Sequence, residues 1–219
     1  GQTVRHGAID NATGVASVLE LGRVFAAGPR PQRSLYFIAL TAEEKGLLGA
    51  SYYAAHPLAP LETTAAVLNI EMFSPDGETG DIATWGNGRV SLEDDVQRVA
   101  QARGRRWSPD PNLEAGFFYR ADHFAFARKG VPAITVGAGL DKLDGGVAAG
   151  RALRDAYFAK CYHQACDAWS PQWDARGLAA DTLLVYDLGL ELANSRQWPS
   201  WQKGAEFEAA REASDAARR

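Results

Sequence analysis

The chain has 219 residues, of which 46% are hydrophobic and 23% charged, a composition that is ordinary for a globular protein and excludes a disordered chain. Its length suits a single domain, and its longest apolar run, residues 35–40, is far too short to span a membrane. The 23 Lys and Arg against 27 Asp and Glu leave a net charge of −4, so neither a nucleic acid nor an anionic membrane is expected as a partner.

Hydrophobic periodicity predicts helices and strands that alternate along the chain. In chain order, the patterns predict a helix between Asp10-Asn11 and Gly28, a strand at 34–40, a helix at 47–55, strands at 65–70 and 81–85, helices at 91–103 and 121–129, a strand at 132–136 and a helix at 177–193. Residues 34–40 (SLYFIAL) are a continuous apolar run, which is typical of a strand buried on both faces. The alternation predicts an α/β sandwich.

Two segments lie outside this alternation. Residues 137–150 contain five glycines and predict a long flexible loop on the way to His163. Residues 203–219 are rich in Ala, Glu and Arg and predict a surface helix. Trp198 and Trp201 precede that helix, and we expect them to anchor it to the body of the protein.

Acidic residues cluster where the predicted strands end. Glu43-Glu44 follow one strand, and Glu71 ends the next. Because sites in open α/β sheets form at the carboxyl ends of strands, these carboxylates can converge. Adjacent carboxylates repel each other unless a cation lies between them, which indicates a cation site. A solvated helix N-terminus, where the helix dipole favours Glu, explains the pair equally well.

The four histidines are not equally good candidates for metal ligands. His163 is the strongest candidate, because it follows Tyr162 and is close to acidic residues in the sequence. His56 is expected to cap the end of a helix, His6 to lie in a loop and His123 to pack at the start of a helix. The sequence has no nucleophile elbow of a serine hydrolase and no phosphate-binding loop, which weakens both of those functions.

Cys161 and Cys166 are close enough in sequence to form a disulfide within a loop. In an oxidising compartment such a bond would stiffen the segment that carries His163, whereas two free thiols are the alternative. A nucleophilic role for either cysteine is disfavoured, since neither is placed at a helix N-terminus beside a clear base.

Five segments become specific when they are taken together. They are GAIDNATG at 7–14, TAEEKGLLG at 41–49, LNIEM at 68–72, RADH at 120–123 and YH at 162–163. In this order and spacing the chain resembles the co-catalytic zinc aminopeptidase family over roughly residues 5–195. That family also contains glutamate carboxypeptidase II and, more remotely, the glutaminyl cyclases. The resemblance implies a three-layer α/β sandwich around a central mixed, mostly parallel sheet.

The resemblance also implies a set of metal ligands. Asp10 would bridge two zinc ions, and Glu44 and His163 would complete the ligands of one of them. Glu71 stands where the family usually has an aspartate and would bind the other ion. Carboxylates and an imidazole without a thiolate suit a catalytic zinc site.

Two further residues receive catalytic roles from the resemblance. Glu43 would be the general base that takes a proton from the attacking water, and Tyr162 would donate a hydrogen bond to the tetrahedral oxyanion. Neighbouring glutamates can take different roles only where the chain bends, and Gly46 and Gly49 are consistent with a bend.

The chain departs from the family pattern in three places, of which the first two bear on the number of metals and the third is a minor change. The family's first histidine ligand lies in a His-x-Asp motif upstream of the first segment, and this chain starts too late to contain it. Glu71 is one methylene longer than aspartate, and Ala121 replaces the usual serine. We therefore expect one firmly bound zinc and a possible second one. The dense motif so close to Gly1 also predicts an N-terminally incomplete fragment, whose missing segment of the same protein would be a partner.

The sequence thus predicts one zinc peptidase catalytic domain over residues 1–219, with residues 197–219 as a C-terminal helical extension. The expected function is a metal-dependent exopeptidase that removes N-terminal residues from peptides. A glutaminyl cyclase-like zinc transferase and a non-catalytic, ectodomain-like member of the fold are the alternatives. A secreted or periplasmic location follows from the resemblance alone.

Overall fold

The computed structural model describes residues 4–86 and 88–218. Within these residues, a mixed sheet of four strands has the order β1-β4-β2-β3. The strands are β1 (Val67–Ile70), β2 (Asp81–Thr84), β3 (Arg106–Ser108) and β4 (Ala133–Ala138). β1 runs parallel to β4 and β2 runs parallel to β3, whereas β2 and β4 are antiparallel. The predicted mixed, mostly parallel sheet is confirmed.

Helices cover both faces of the sheet. They are α1 (Thr13–Ala27), α2 (Leu48–Ala55), α3 (Leu92–Ala102), α4 (His123–Ala127), α5 (Gly146–Lys160), α6 (Arg176–Asn194) and α7 (Glu208–Glu212). On β4, the side chains of Ile134 and Val136 join a buried cluster with Leu184 of α6. The intervening Thr135 instead forms a 2.9 Å hydrogen bond with His123 of α4. Because alternate residues of a strand point to opposite faces, the three-layer sandwich is confirmed.

The predicted buried strand at residues 34–40 is wrong. These residues have no regular secondary structure, and Tyr36 and Phe37 are 52% and 42% exposed. Leu40 packs in the same cluster as Val67 of β1, but β1 is paired only with β4 among the described residues. An apolar run indicates which side chains avoid water, whereas a strand also needs a neighbouring backbone to take its hydrogen bonds.

The loop predicted at residues 137–150 is too long. α5 begins at Gly146 and leads directly to the His163 segment, so a helix rather than a flexible loop precedes that histidine. The start of α5 was not predicted because Gly146 and Gly150 lie in it and glycine is a poor helix former. Gly150 is required by packing, since an added Cβ would overlap the carbonyl oxygen of Leu140. The three-residue strand β3 is also absent from the predicted elements.

The C-terminal segment docks as expected but is less helical. Trp201 is buried, and its indole Nε1 donates a 2.9 Å hydrogen bond to the carbonyl oxygen of Gly130. Trp198 is more exposed, with the guanidinium of Arg33 4.8 Å from its ring. In place of one continuous helix over residues 203–219, α7 is followed by a short 3-10 turn at Asp215–Arg218. Among the described residues, no helix is long and apolar enough to cross a membrane.

Candidate metal centre

Three of the predicted ligands converge on one point. Nε2 of His163 lies 3.0 Å from Oδ2 of Asp10 and 2.9 Å from Oε1 of Glu44. Asp10 comes just before α1, Glu44 lies in a short 3-10 turn, and His163 follows α5. Ligand atoms of these three residues lie within 4.8 Å of one another, and no other such group occurs among residues 4–86 and 88–218.

These three side chains bring two carboxylates against one imidazole nitrogen, an arrangement that could hold a metal ion. Oδ2 of Asp10 is buried, and Nε2 of His163 lies 3.0 Å from it. Burial, followed by the charge of Glu44, raises the pKa of Asp10 to about 6. A cation at the centre would relieve both effects. Two carboxylate oxygens and one imidazole nitrogen are a donor set that suits zinc with one position left open.

Glu43 and Glu44 lie in one tight turn, Glu43–Lys45. Ala42 and Leu47, at either end of this turn, have left-handed backbones with φ of 58° and 57°, which side-chain-bearing residues rarely adopt. Gly49 allows the turn to close, because an added Cβ would overlap the carbonyl oxygen of Thr41. The predicted bend is confirmed, and it brings Glu44 into the three-residue group while Glu43 stays outside that group.

Glu43 nevertheless lines the same cleft as the three ligand candidates. Burial, followed by the charge of Glu44, raises the pKa of Glu43 to about 7. A carboxylate with a pKa near the working pH is suited to accept and return a proton.

Glu71 follows β1 and also lines the cleft, but it does not join the three-residue group. Its Oε1 accepts a 3.2 Å hydrogen bond from the side-chain amide of Asn69. Burial raises the pKa of Glu71 to about 8. Of the predicted ligands, it is the one that the structure leaves apart from the others.

Tyr162 lies in the cleft beside His163, with their rings stacked at a centroid distance of 3.8 Å. Burial, followed by the charge of Asp10, raises the pKa of Tyr162 to about 12. The phenol therefore keeps its proton at neutral pH and is available as a hydrogen-bond donor. His123 is fully buried against Thr135 and Phe118 and is not near the other candidates, in keeping with the packing role expected of it.

The segment that carries His163 also fixes Asp10. Oδ1 of Asp167 accepts the backbone N–H of Ile9 at 2.8 Å, and its Oδ2 accepts the backbone N–H of Asp10 at 3.1 Å. A disulfide joins Cys161 to Cys166, so the loop that it closes contains His163 and ends one residue before Asp167. The predicted pairing is confirmed. A single stiffened loop thus supplies one ligand candidate and holds the backbone of another.

Asn11 is a second positioning residue, to which the sequence analysis assigned no role at the site. Its amide Nδ2 donates to the carbonyl oxygen of Ile70 at 2.9 Å, and its Oδ1 accepts the N–H of Met72 at 3.2 Å. These two bonds bracket Glu71. The same Oδ1 accepts the N–H of Gly14 at 3.1 Å. A Cβ added to Gly14 would collide with this oxygen. The Asp-Asn pair in the first motif was the available signal.

Comparison of the sequence with known protein families identifies one that matches most of the chain. The sequence model of peptidase family M28 matches residues 1–186. The chain belongs to peptidase family M28. The resemblance drawn from the five motifs is therefore confirmed.

Individual relatives match parts of this M28 chain. Leupeptin-inactivating enzyme 1 of Streptomyces exfoliatus is 28% identical over 165 residues, which are 73% of this chain and 36% of that protein. A probable zinc metalloprotease of Pyrenophora tritici-repentis is 42% identical over 66 residues, 30% of this chain and 15% of that protein. The structure of an aminopeptidase from Aneurinibacillus sp. strain AM-1 is 24% identical, with a TM-score of 0.62 over 86% of this chain and 40% of its own. It supports the fold, and the M28 chain spans less than half the length of each of these proteins.

Replacing Asn11 by alanine is expected to destabilise the M28 chain by about 2–4 kcal/mol, because the polar groups of Ile70 and Met72 lose their partner. Urea unfolding followed by tryptophan fluorescence measures the change. Asn194→Ala is the matched control, since that exposed asparagine makes two hydrogen bonds to the backbone where Asn11 makes three. Equal losses in the two variants would contradict the bracketing role of Asn11.

Proposed function

We propose that this chain is a zinc-dependent exopeptidase that removes N-terminal residues from peptides. The observation that carries the proposal is the convergence of Asp10, Glu44 and His163, whose ligand atoms lie within 4.8 Å of one another. Membership of peptidase family M28 supports it. We further propose that residues 1–219 act as one catalytic domain, with 197–219 as its C-terminal extension.

The residues around the centre divide the work of hydrolysis. Zinc, when bound by Asp10, Glu44 and His163, supplies Lewis acidity that activates water and polarises the peptide carbonyl. Glu43 takes the proton from the attacking water and delivers it to the leaving amine. The protonated Tyr162 donates a hydrogen bond to the oxyanion of the tetrahedral intermediate, where such donors are most effective.

A secreted or periplasmic location is part of the proposal. The Cys161–Cys166 disulfide supports it, because disulfides persist in oxidising compartments and are rare in a reducing cytosol.

The proposal predicts one tightly held zinc per chain. Asp10, Glu44 and His163 share one point, whereas Glu71 is bonded to Asn69 and has no second imidazole beside it among the described residues. Two carboxylates without an imidazole are expected to hold a second zinc weakly. Elemental analysis after dialysis measures the ratio.

Two matched variants assign the zinc to these ligands. His163→Ala is expected to lose the bound zinc, and Glu71→Gln is expected to keep it. Two zinc ions per chain after dialysis, or loss of the tight zinc in Glu71→Gln, would refute the assignment.

Three substrates separate this function from the alternatives. The zinc-loaded chain is expected to hydrolyse leucine-p-nitroanilide and to stop when a chelator is added. Conversion of an N-terminal glutaminyl peptide to its pyroglutamyl form, without hydrolysis, would instead identify a glutaminyl cyclase-like transferase. Zinc binding without either reaction would identify a non-catalytic member of the fold.

A further inference from the structure

Arg120 is one of two arginines in a cleft that is rich in acidic side chains. The cleft has a volume of about 430 Å³ and is lined by four carboxylates, those of Asp10, Glu43, Glu44 and Glu71. Arg120 follows the short helix Phe117–Tyr119 and lines the same cleft. Its position brings a permanent positive charge to the edge of the centre described above.

Arg120 forms no ion pair with any carboxylate in the part of the chain that the structure describes. Other arginines of these residues do form such pairs, namely Arg23, Arg98, Arg103, Arg105, Arg106, Arg176 and Arg218. The Arg120 guanidinium thus has no carboxylate partner among the described residues, in a cleft that four carboxylates line.

An aromatic platform supports the Arg120 side chain in place of an acid. Its guanidinium carbon lies 5.3 Å from the centroid of the Phe117 ring, and Phe117 is buried. Phe117 in turn stacks on Trp85 at 5.0 Å with an interplanar angle of 24°. A cation–π contact restrains the guanidinium but leaves its hydrogen-bond donors free.

The reaction groups lie within the electrostatic reach of Arg120. Glu43 and Tyr162 line the same cleft as Arg120. A substrate that lies between Glu43 and Tyr162 would therefore pass close to the guanidinium.

The free donors of Arg120 match one substrate group above others. Guanidinium binds carboxylate with two parallel hydrogen bonds, and such charge-assisted pairs are strong and directional. A short peptide carries an amine at one end, which suits the acidic side of the cleft, and a carboxylate at the other. The carboxylates of the cleft would attract the amine of such a peptide, and Arg120 would attract its carboxylate.

We propose that Arg120 binds a carboxylate of the substrate, so that peptides with a carboxylate close to the scissile bond are preferred. The carboxylate is either the free C-terminus of a very short peptide or an acidic side chain next to the cleaved bond. This inference rests on the proposed peptidase function and names the substrate class of that same cleft.

The test compares substrates that differ only in this charge. On the zinc-loaded chain, kcat/KM for leucyl-leucine is compared with leucyl-leucinamide, and glutamyl-p-nitroanilide with glutaminyl-p-nitroanilide. The first pair reports a C-terminal carboxylate and the second an acidic side chain. In at least one pair the acid is expected to be favoured by about 10–100-fold, the usual effect of a charge-assisted hydrogen bond.

Two arginine variants locate the effect. Arg120→Gln is expected to abolish the preference for the acid while still hydrolysing leucine-p-nitroanilide, which carries no carboxylate. Arg128→Gln is the matched control, because Arg128 lines the same cleft over Phe124 and also lacks an ion pair among the described residues. It is expected to keep the preference.

Failure of the inference is distinct from failure of the function. Hydrolysis of leucine-p-nitroanilide without preference for the acid in either pair would overturn the carboxylate site and leave the peptidase function standing. A preference that survives in Arg120→Gln, or that Arg128→Gln removes equally, would overturn the assignment to Arg120. If no substrate is cleaved, calorimetric titration of the zinc-loaded chain with each acid and its uncharged counterpart decides, and equal affinities would overturn the inference.

Discussion

Replacing Glu43 with glutamine is expected to lower the turnover of leucine-p-nitroanilide by about 10²–10⁴-fold, the usual contribution of a general base. Glutamine has nearly the shape of glutamate but cannot accept and return the proton. Because Glu43 lies outside the group formed by Asp10, Glu44 and His163, the variant is expected to keep its zinc. Steady-state kinetics and elemental analysis on the same sample measure both properties.

The neighbouring glutamate is the matched control for this variant. Glu44→Gln makes the same chemical change one residue away, but it removes a member of the three-residue group. It is therefore expected to lose zinc as well as activity. Parental turnover in Glu43→Gln would show that Glu43 is not the general base. Loss of zinc from Glu43→Gln but not from Glu44→Gln would show that the two roles are assigned the wrong way round.

The sequence predicts this site well where a motif and its local geometry coincide. Adjacent glutamates can serve different roles only if the chain bends, and Gly46 and Gly49 indicated the bend that the structure has. The same reasoning failed at residues 34–40, where apolar character predicted a strand without showing which backbone would pair with it.

Contacts between distant parts of the chain explain what the sequence could not show. Asp167 holds the backbone of Asp10 across 157 positions of the sequence, and Asn11 holds the residues on either side of Glu71 across about 60. Such bonds join side chains to backbone groups, which carry no residue-specific signal. A motif therefore identifies a ligand more readily than the residues that position it.

The zinc-free chain is expected to become less stable as pH rises from about 5.5 to 8.5. Burial raises the pKa of Glu71 to about 8 and that of Glu43 to about 7, both above the ordinary value of 4.5. In this range the folded state therefore binds more protons than the unfolded state, so stability present at low pH is lost as pH rises through the folded-state pKa values.

The expected loss is on the order of 3 kcal/mol for Glu71, or roughly 5–10 °C in melting temperature. Melting curves of chelator-treated protein across this range measure it. Glu71→Gln cannot ionise and is expected to flatten the slope, whereas Glu62→Gln, at an exposed position, is expected to leave it unchanged. Saturating zinc is expected to stabilise the chain most at pH 8.5, because the metal binds deprotonated ligands of the folded state alone. A zinc-free melting temperature that is constant or rises between these pH values would contradict the prediction. It would show that ionisation of the buried carboxylates in this cleft does not destabilise the zinc-free fold.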